Sequence, residues 1–171
     1  MSERIKWGDR KFDFNFPGAL YPEMIERLSG TPARLEDRIE SVPAETLQRR
    51  EDERWSIQEN AGHLLDLEPL IEQRLDQYLA GAQELVPADM SNRKTFGANH
   101  NTVAVASILK NFREARMHVV TRLDLLDAEI FARTAFHPRL KKQMRLVDMI
   151  FFQAEHDDYH LARISDLLRI S

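Results

Sequence analysis

The chain has 171 residues, 43% of them hydrophobic, with 6 glycines, 7 prolines and a net charge of −4. That is the size of one ordinary domain with apolar mass for a real core, which excludes a disordered chain. No cysteine is present, so disulfides, thiolate ligands and a cysteine nucleophile are excluded, and the acidic balance offers nothing for nucleic acid.

Residues 1–20 mix aromatic and polar groups, including Trp7, Phe12, Phe14 and Phe16, and predict an irregular arm laid on the body. The opening MSERIKWGDRKFDF has no apolar h-region, so no signal peptide is expected. No window approaches 18 uncharged apolar residues, so no membrane span is expected and a cytoplasmic protein is the default.

The domain proper is expected over residues 21–171. Pro22 suits the first turn of a short helix through Leu28, with Gly30 as its cap. Thr31 and Pro32 then read as N-cap and N1 of a second short helix carrying Leu35 and Ile39 on one face. PAETLQRR, from Pro43, predicts another short turn.

WSIQENAGHLLDLEPLIEQRLDQYLAG is the clearest helix. Ser56 and Glu59 form a capping box, and Ile57, Ala61, Leu64, Ile71, Leu75 and Tyr78 repeat at helical spacing. Gly81 closes the run, and Pro69 inside it should bend or break the helix. Residues 82–101 are polar and irregular, a loop long enough to suggest a functional role. A third long helix is predicted over 102–127, with Leu109, Phe112, Val119, Leu123 and Leu126 inward. After a turn around Pro138, a fourth runs over 146–168. The lack of alternating apolar runs leaves little room for a sheet. Three long helices plus one broken one predict an all-α four-helix bundle.

The fourth helix carries the chemistry. Met149, Gln153, His156, His160, Ile164 and Leu167 fall on one inward stripe, leaving Asp157, Asp158 and Arg163 toward solvent. His156 and His160 are one helical turn apart and form a bidentate anchor for one ion. The competing reading is two half-buried histidines bonded to carboxylates or water. HDDYH also has the zincin spacing, but Asp157 replaces the glutamate base and almost no chain follows for a downstream ligand.

A third ligand must come from elsewhere. His63 lies at the flank of an apolar helix face, one turn after Asn60, where it can point inward or merely bond a neighbour. His100, His118 and His137 read as surface or loop residues, with His100 at the end of the long loop placed to rim a pocket. No P-loop, G-x-S-x-G or G-x-G-x-x-G is present.

WSIQENAGHLLDLE and LVDMIFFQAEHDDYHLARI together resemble the DinB-like family, the DinB/YfiT metalloenzyme superfamily, over roughly residues 20–170. The shared pattern is a tryptophan with a Ser/Thr cap, an acidic residue, a histidine, and a later His-x-x-x-His. The resemblance implies an antiparallel four-helix bundle whose halves are joined by a crossover at residues 82–101. It implies a divalent metal on His63, His156 and His160, zinc or nickel first and iron or manganese also suited. It further implies a homodimer and a small-molecule substrate, with thiol-dependent S-transferases and metal-dependent hydrolases among the relatives. The N-terminal arm departs from the family pattern.

Three protein ligands leave positions open, as catalytic sites do. The expected function is therefore a metal-dependent enzyme, either a thiol S-transferase working with a low-molecular-weight thiol or a hydrolase. The alternative is a non-enzymatic, stress-related module that binds metal or a small ligand. Asn60, Gln153, Asn99 and His100 are the candidates for the pocket rim, and Asp66, Glu68 and Asp157 for orienting imidazoles.

Overall fold

The computed structural model describes residues 4–170. Four long helices form the body: α1 (Tyr21–Ile39), α3 (Ile57–Leu79), α5 (Val105–Asp124) and α6 (Leu146–Arg169). Two short ones, α2 (Ala44–Gln48) and α4 (Arg93–Ala98), lie in the connections. α1 packs on α5 and α6, and α3 packs on the same two, so α1 and α3 face each other across the bundle diagonal. Among the described residues, no helix is long and apolar enough to cross a membrane.

The capping box at Ser56 forms as read. The Ser56 hydroxyl accepts from the Glu59 amide, and the Glu59 carboxylate accepts from the Ser56 amide at 2.9 Å. The helix then runs through Pro69 without a break. Pro69 is exposed, so water can serve the groups it disturbs.

α1 departs from the expectation of two short helices. It is continuous, with Gly30 and Pro32 inside it. Pro32 has no N–H for the carbonyl of Leu28. That carbonyl instead accepts from Arg116 Nη1 on α5 at 3.2 Å. A tertiary contact thus supplies the bond that local sequence withholds.

A small hairpin is the other departure. β1 (Thr134–His137) pairs antiparallel with β2 (Lys142–Arg145), Ala135 opposite Met144. Its tight turn needs Lys141 at φ 51°, and the Lys141 amide closes it on the His137 carbonyl at 2.8 Å. Ala135, His137 and Met144 face inward, too short an alternation to register in the sequence. The crossover joins the hairpin as well, through Leu85 N–H to Phe136 O at 2.9 Å and Phe136 N–H to Gln83 O at 2.8 Å.

Two apolar clusters fill the interior. One holds Leu28, Leu75, Val119 and Ile150 with the hairpin and the aromatic arm. The other holds Leu35, Leu64, Phe112 and Ile164. Between them, at mid-height on every long helix, lies a layer of buried polar groups: Thr31, His63, Glu68, Arg116, His156, Asp157 and His160. Trp7 and Phe12 of the arm meet α6 there, each about 5 Å from the Phe152 ring (5.1 and 4.9 Å).

Candidate metal centre

α3 and α6 are neighbours, and their stripes place His63 beside His156 and His160. One nitrogen from each of the three lies within 4.8 Å of the others, and all three residues are buried. The Nε2 atoms of His156 and His160 are 3.2 Å apart. Two ligands of one tetrahedral ion at Zn–N lengths near 2.05 Å would be roughly 3.3 Å apart, so the spacing fits.

The surroundings fix which nitrogens carry protons. Asn60 Nδ2 donates to the Ser56 carbonyl at 2.8 Å, which turns its Oδ1 toward His160 Nδ1 at 2.9 Å. That oxygen only accepts, so His160 holds its proton on Nδ1 and its Nε2 is a bare lone pair. His63 Nδ1 lies 3.0 Å from Thr95 Oγ1. The Thr95 hydroxyl in turn bonds to the Asp66 carboxylate, whose pKa burial would raise but His100, and then Thr95, hold down. Thr95 gives its proton to Asp66 and so accepts from His63, leaving His63 Nε2 bare as well. His156 Nδ1 has no hydrogen-bond partner among the described residues.

Burial drives all three imidazoles toward the neutral form. It pushes His63 down to about 4, with Asp66 only partly opposing it. His156 falls well below the usual value through burial and then its two neighbours, and His160 through burial and His63. Neutral imidazoles with directed lone pairs are what a divalent cation requires. Three nitrogens without thiolate or carboxylate suit zinc, nickel, iron or manganese alike.

The cluster floors a cavity of about 430 Å³. Asn60 and Gln153, both expected at a pocket, line it. Asn99 and His100 do not. Asn99 is exposed on a left-handed turn. His100 is buried behind α3, its Nε2 2.8 Å from Asp66 Oδ2. A Cβ on Gly62 would lie 2.2 Å from His100 Cγ, so glycine is what lets that ring pack on the helix.

Three further placements correct the sequence reading. Asp157, expected toward solvent, is wholly buried and paired with Arg116 Nη1 at 2.5 Å. Glu68 pairs with the same guanidinium at 2.7 Å and touches no imidazole. Burial opposes the Arg116 charge, but the two carboxylates more than offset it and hold its pKa above the usual value. Asp157 is thereby unavailable as a zincin-type base. His137, expected at the surface, is buried by the hairpin and lines the cavity. His118 is exposed beside Glu72, as expected.

Two residues that motif reasoning left without a role also wall the site. Trp55 lies 4.7 Å from the His63 ring, and Trp7 of the arm lies edge-on 4.9 Å from His156. The aromatic run in residues 7–16 was the only signal for the second.

Comparison with known proteins agrees with this architecture. No curated protein matches. Among solved structures, YfiT from Bacillus subtilis superposes with a TM-score of 0.80 at 21% identity, over 94% of this chain and 92% of that one. It is described as a probable metal-dependent hydrolase with an unusual four-helix bundle topology. A Streptococcus pneumoniae protein superposes at 0.65 with 14% identity, over 94% and 93% of the two chains. At these identities the likeness establishes the fold. The model of the DinB superfamily matches residues 27–164, and the chain belongs to that superfamily.

Proposed function

We propose that this protein is a metal-dependent hydrolase of small molecules, holding a divalent ion on His63, His156 and His160. The observation that carries the reading is the convergence of three neutral imidazoles on the floor of an open cavity. The description of YfiT as a probable metal-dependent hydrolase supports it. When bound, the ion supplies Lewis acidity to a water or thiol in its open positions. The chain's own part is to hold the His160 proton on Nδ1 through Asn60, hold the His63 proton through Thr95, and wall off bulk water with Trp7 and Trp55.

One feature favours S-transfer with a low-molecular-weight thiol as the second reading. The only carboxylate lining the cavity among the described residues is Asp89, which is held at the surface by Arg93 and Ser91. A thiol activated by the ion needs no general base, whereas hydrolysis commonly uses one.

Metal content of the purified wild type and of the His156→Ala, His160→Ala double variant tests the site. Near-stoichiometric metal in the first and none in the second is expected. Equal, negligible metal in both overturns the reading. Turnover of an ester and amide panel with and without added thiol then separates hydrolysis from S-transfer. Bound metal without turnover of either kind leaves a metal-binding module.

A further inference from the structure

The cavity has a second polar end that the histidine cluster does not use. Arg74 of α3 is only 4% exposed yet lines it. Its Nε and Nη2 donate to the Val86 carbonyl at 3.1 and 2.9 Å, and its Nη1 has only the Met149 thioether at 3.8 Å. No carboxylate pairs with it among the described residues. A buried guanidinium without an anion is costly, and burial holds its pKa down to about 10. The contrast with Arg116, also buried but flanked by two carboxylates, shows that this bundle can supply counter-ions where the fold needs them.

Two more groups stand beside it. Arg139 donates to the Trp7 carbonyl at 3.2 Å and likewise has no acidic partner among the described residues. His137 accepts the Leu140 amide on Nδ1 at 3.2 Å, so its proton sits on Nε2. That Nε2 is buried with no acceptor among the described residues. Burial and the two nearby guanidiniums keep the ring neutral, with a pKa of about 4. Two guanidiniums without an anion and one imidazole N–H without an acceptor, among the described residues, therefore belong to residues lining one cavity. Its lining holds four arginines against the single carboxylate of Asp89, in a chain of net charge −4.

The wall between the two polar ends is aromatic. The Arg139 guanidinium lies 5.7 Å from the Trp7 ring and 5.9 Å from Phe152, and Trp7 reaches on to His156. His137 also meets Phe152, edge-on with ring centroids 5.4 Å apart.

We propose that Arg74, Arg139 and His137 form a carboxylate-binding subsite, and that the substrate is an organic acid with an apolar body spanning to the histidine cluster. This rests on the proposed function for its second end, but the subsite itself needs no metal. Nη1 of Arg74, Arg139 and the neutral His137 donor together offer the positive charge and the N–H donors that the two oxygens of a carboxylate take. Trp7 and Phe152 would flank the apolar body.

The test compares 3-phenylpropionate with 3-phenylpropionamide by calorimetry at neutral pH, on chelator-stripped protein so that the carboxylate has no ion to ligate. Wild type is expected to prefer the acid by roughly tenfold or more. Arg139→Gln, which alters a half-exposed residue, and Arg74→Gln should each cut that preference to below about threefold. His63→Ala should retain it. Equal binding of acid and amide by wild type overturns the subsite, as does a preference that survives both arginine substitutions. Should Arg74→Gln fail to fold, Arg139→Gln alone decides. A preserved preference in a protein that takes up no metal sinks the enzyme reading only. Normal metal uptake with no preference sinks the subsite only.

Discussion

Adjacent residues of α6 serve two buried polar clusters that differ in completeness. Asp157 points to one side, where Arg116, Thr31 and Gln153 satisfy it and Glu68 shares the Arg116 cation: Thr31 Oγ1 at 2.9 Å and Gln153 Nε2 at 3.0 Å complete its shell. His156 points to the other, where three imidazoles meet with two bare lone pairs and one orphan nitrogen. Both clusters sit in the same layer between the same two apolar cores. The first is closed and ties all four long helices together. The second is left open on a cavity. Burial of polar groups alone does not distinguish structure from function; what distinguishes them is whether the fold has supplied every partner.

The closed cluster should break hardest. Arg116→Met leaves Glu68 and Asp157 buried without a cation and removes the bond to the Leu28 carbonyl. A loss of about 3–5 kcal/mol in chemical denaturation is expected, against at most a small change for an exposed arginine such as Arg49. The open cluster should respond to metal instead. Zinc at about one hundred times its Kd should stabilise wild type by about 2.7 kcal/mol, and a thermal scan of His63→Ala should show little of that gain.

Smaller effects sharpen the boundary between them. Thr95→Val and Asn60→Leu remove the groups that hold protons on the Nδ1 atoms. Each should weaken metal affinity about tenfold or more in competition with a chelating dye, while leaving metal content measurable at excess metal. The mildest test is pH. The native pKa of His63 lies below its unfolded value, so the unfolded chain takes the proton first. Its contribution to stability is complete above about pH 6.5 and is lost as pH falls toward 4. Metal-free His63→Leu should therefore show a shallower acid limb than metal-free wild type; parallel limbs would mean that His63 is not held neutral.

Much of the open cluster was legible because its signals are local. The Ser56 capping box fixes where α3 starts, and the turn from His156 to His160 fixes their shared face. The closed cluster was not, because its cation is on another helix. Asp157 reads as a solvent residue until Arg116 is seen to reach it, and Pro32 reads as a helix start until the same arginine serves Leu28. His137 was missed for a related reason. Four-residue strands carry too little periodicity to show that a hairpin buries it.

The two tryptophans of the chain, Trp7 and Trp55, stand against His156 and His63. All of the protein's indole emission thus originates at the candidate site, with none from elsewhere to dilute it. Cobalt or nickel, whose open d shells quench nearby fluorophores, should dim nearly the whole signal on binding, and the unlabelled protein becomes its own optical titration.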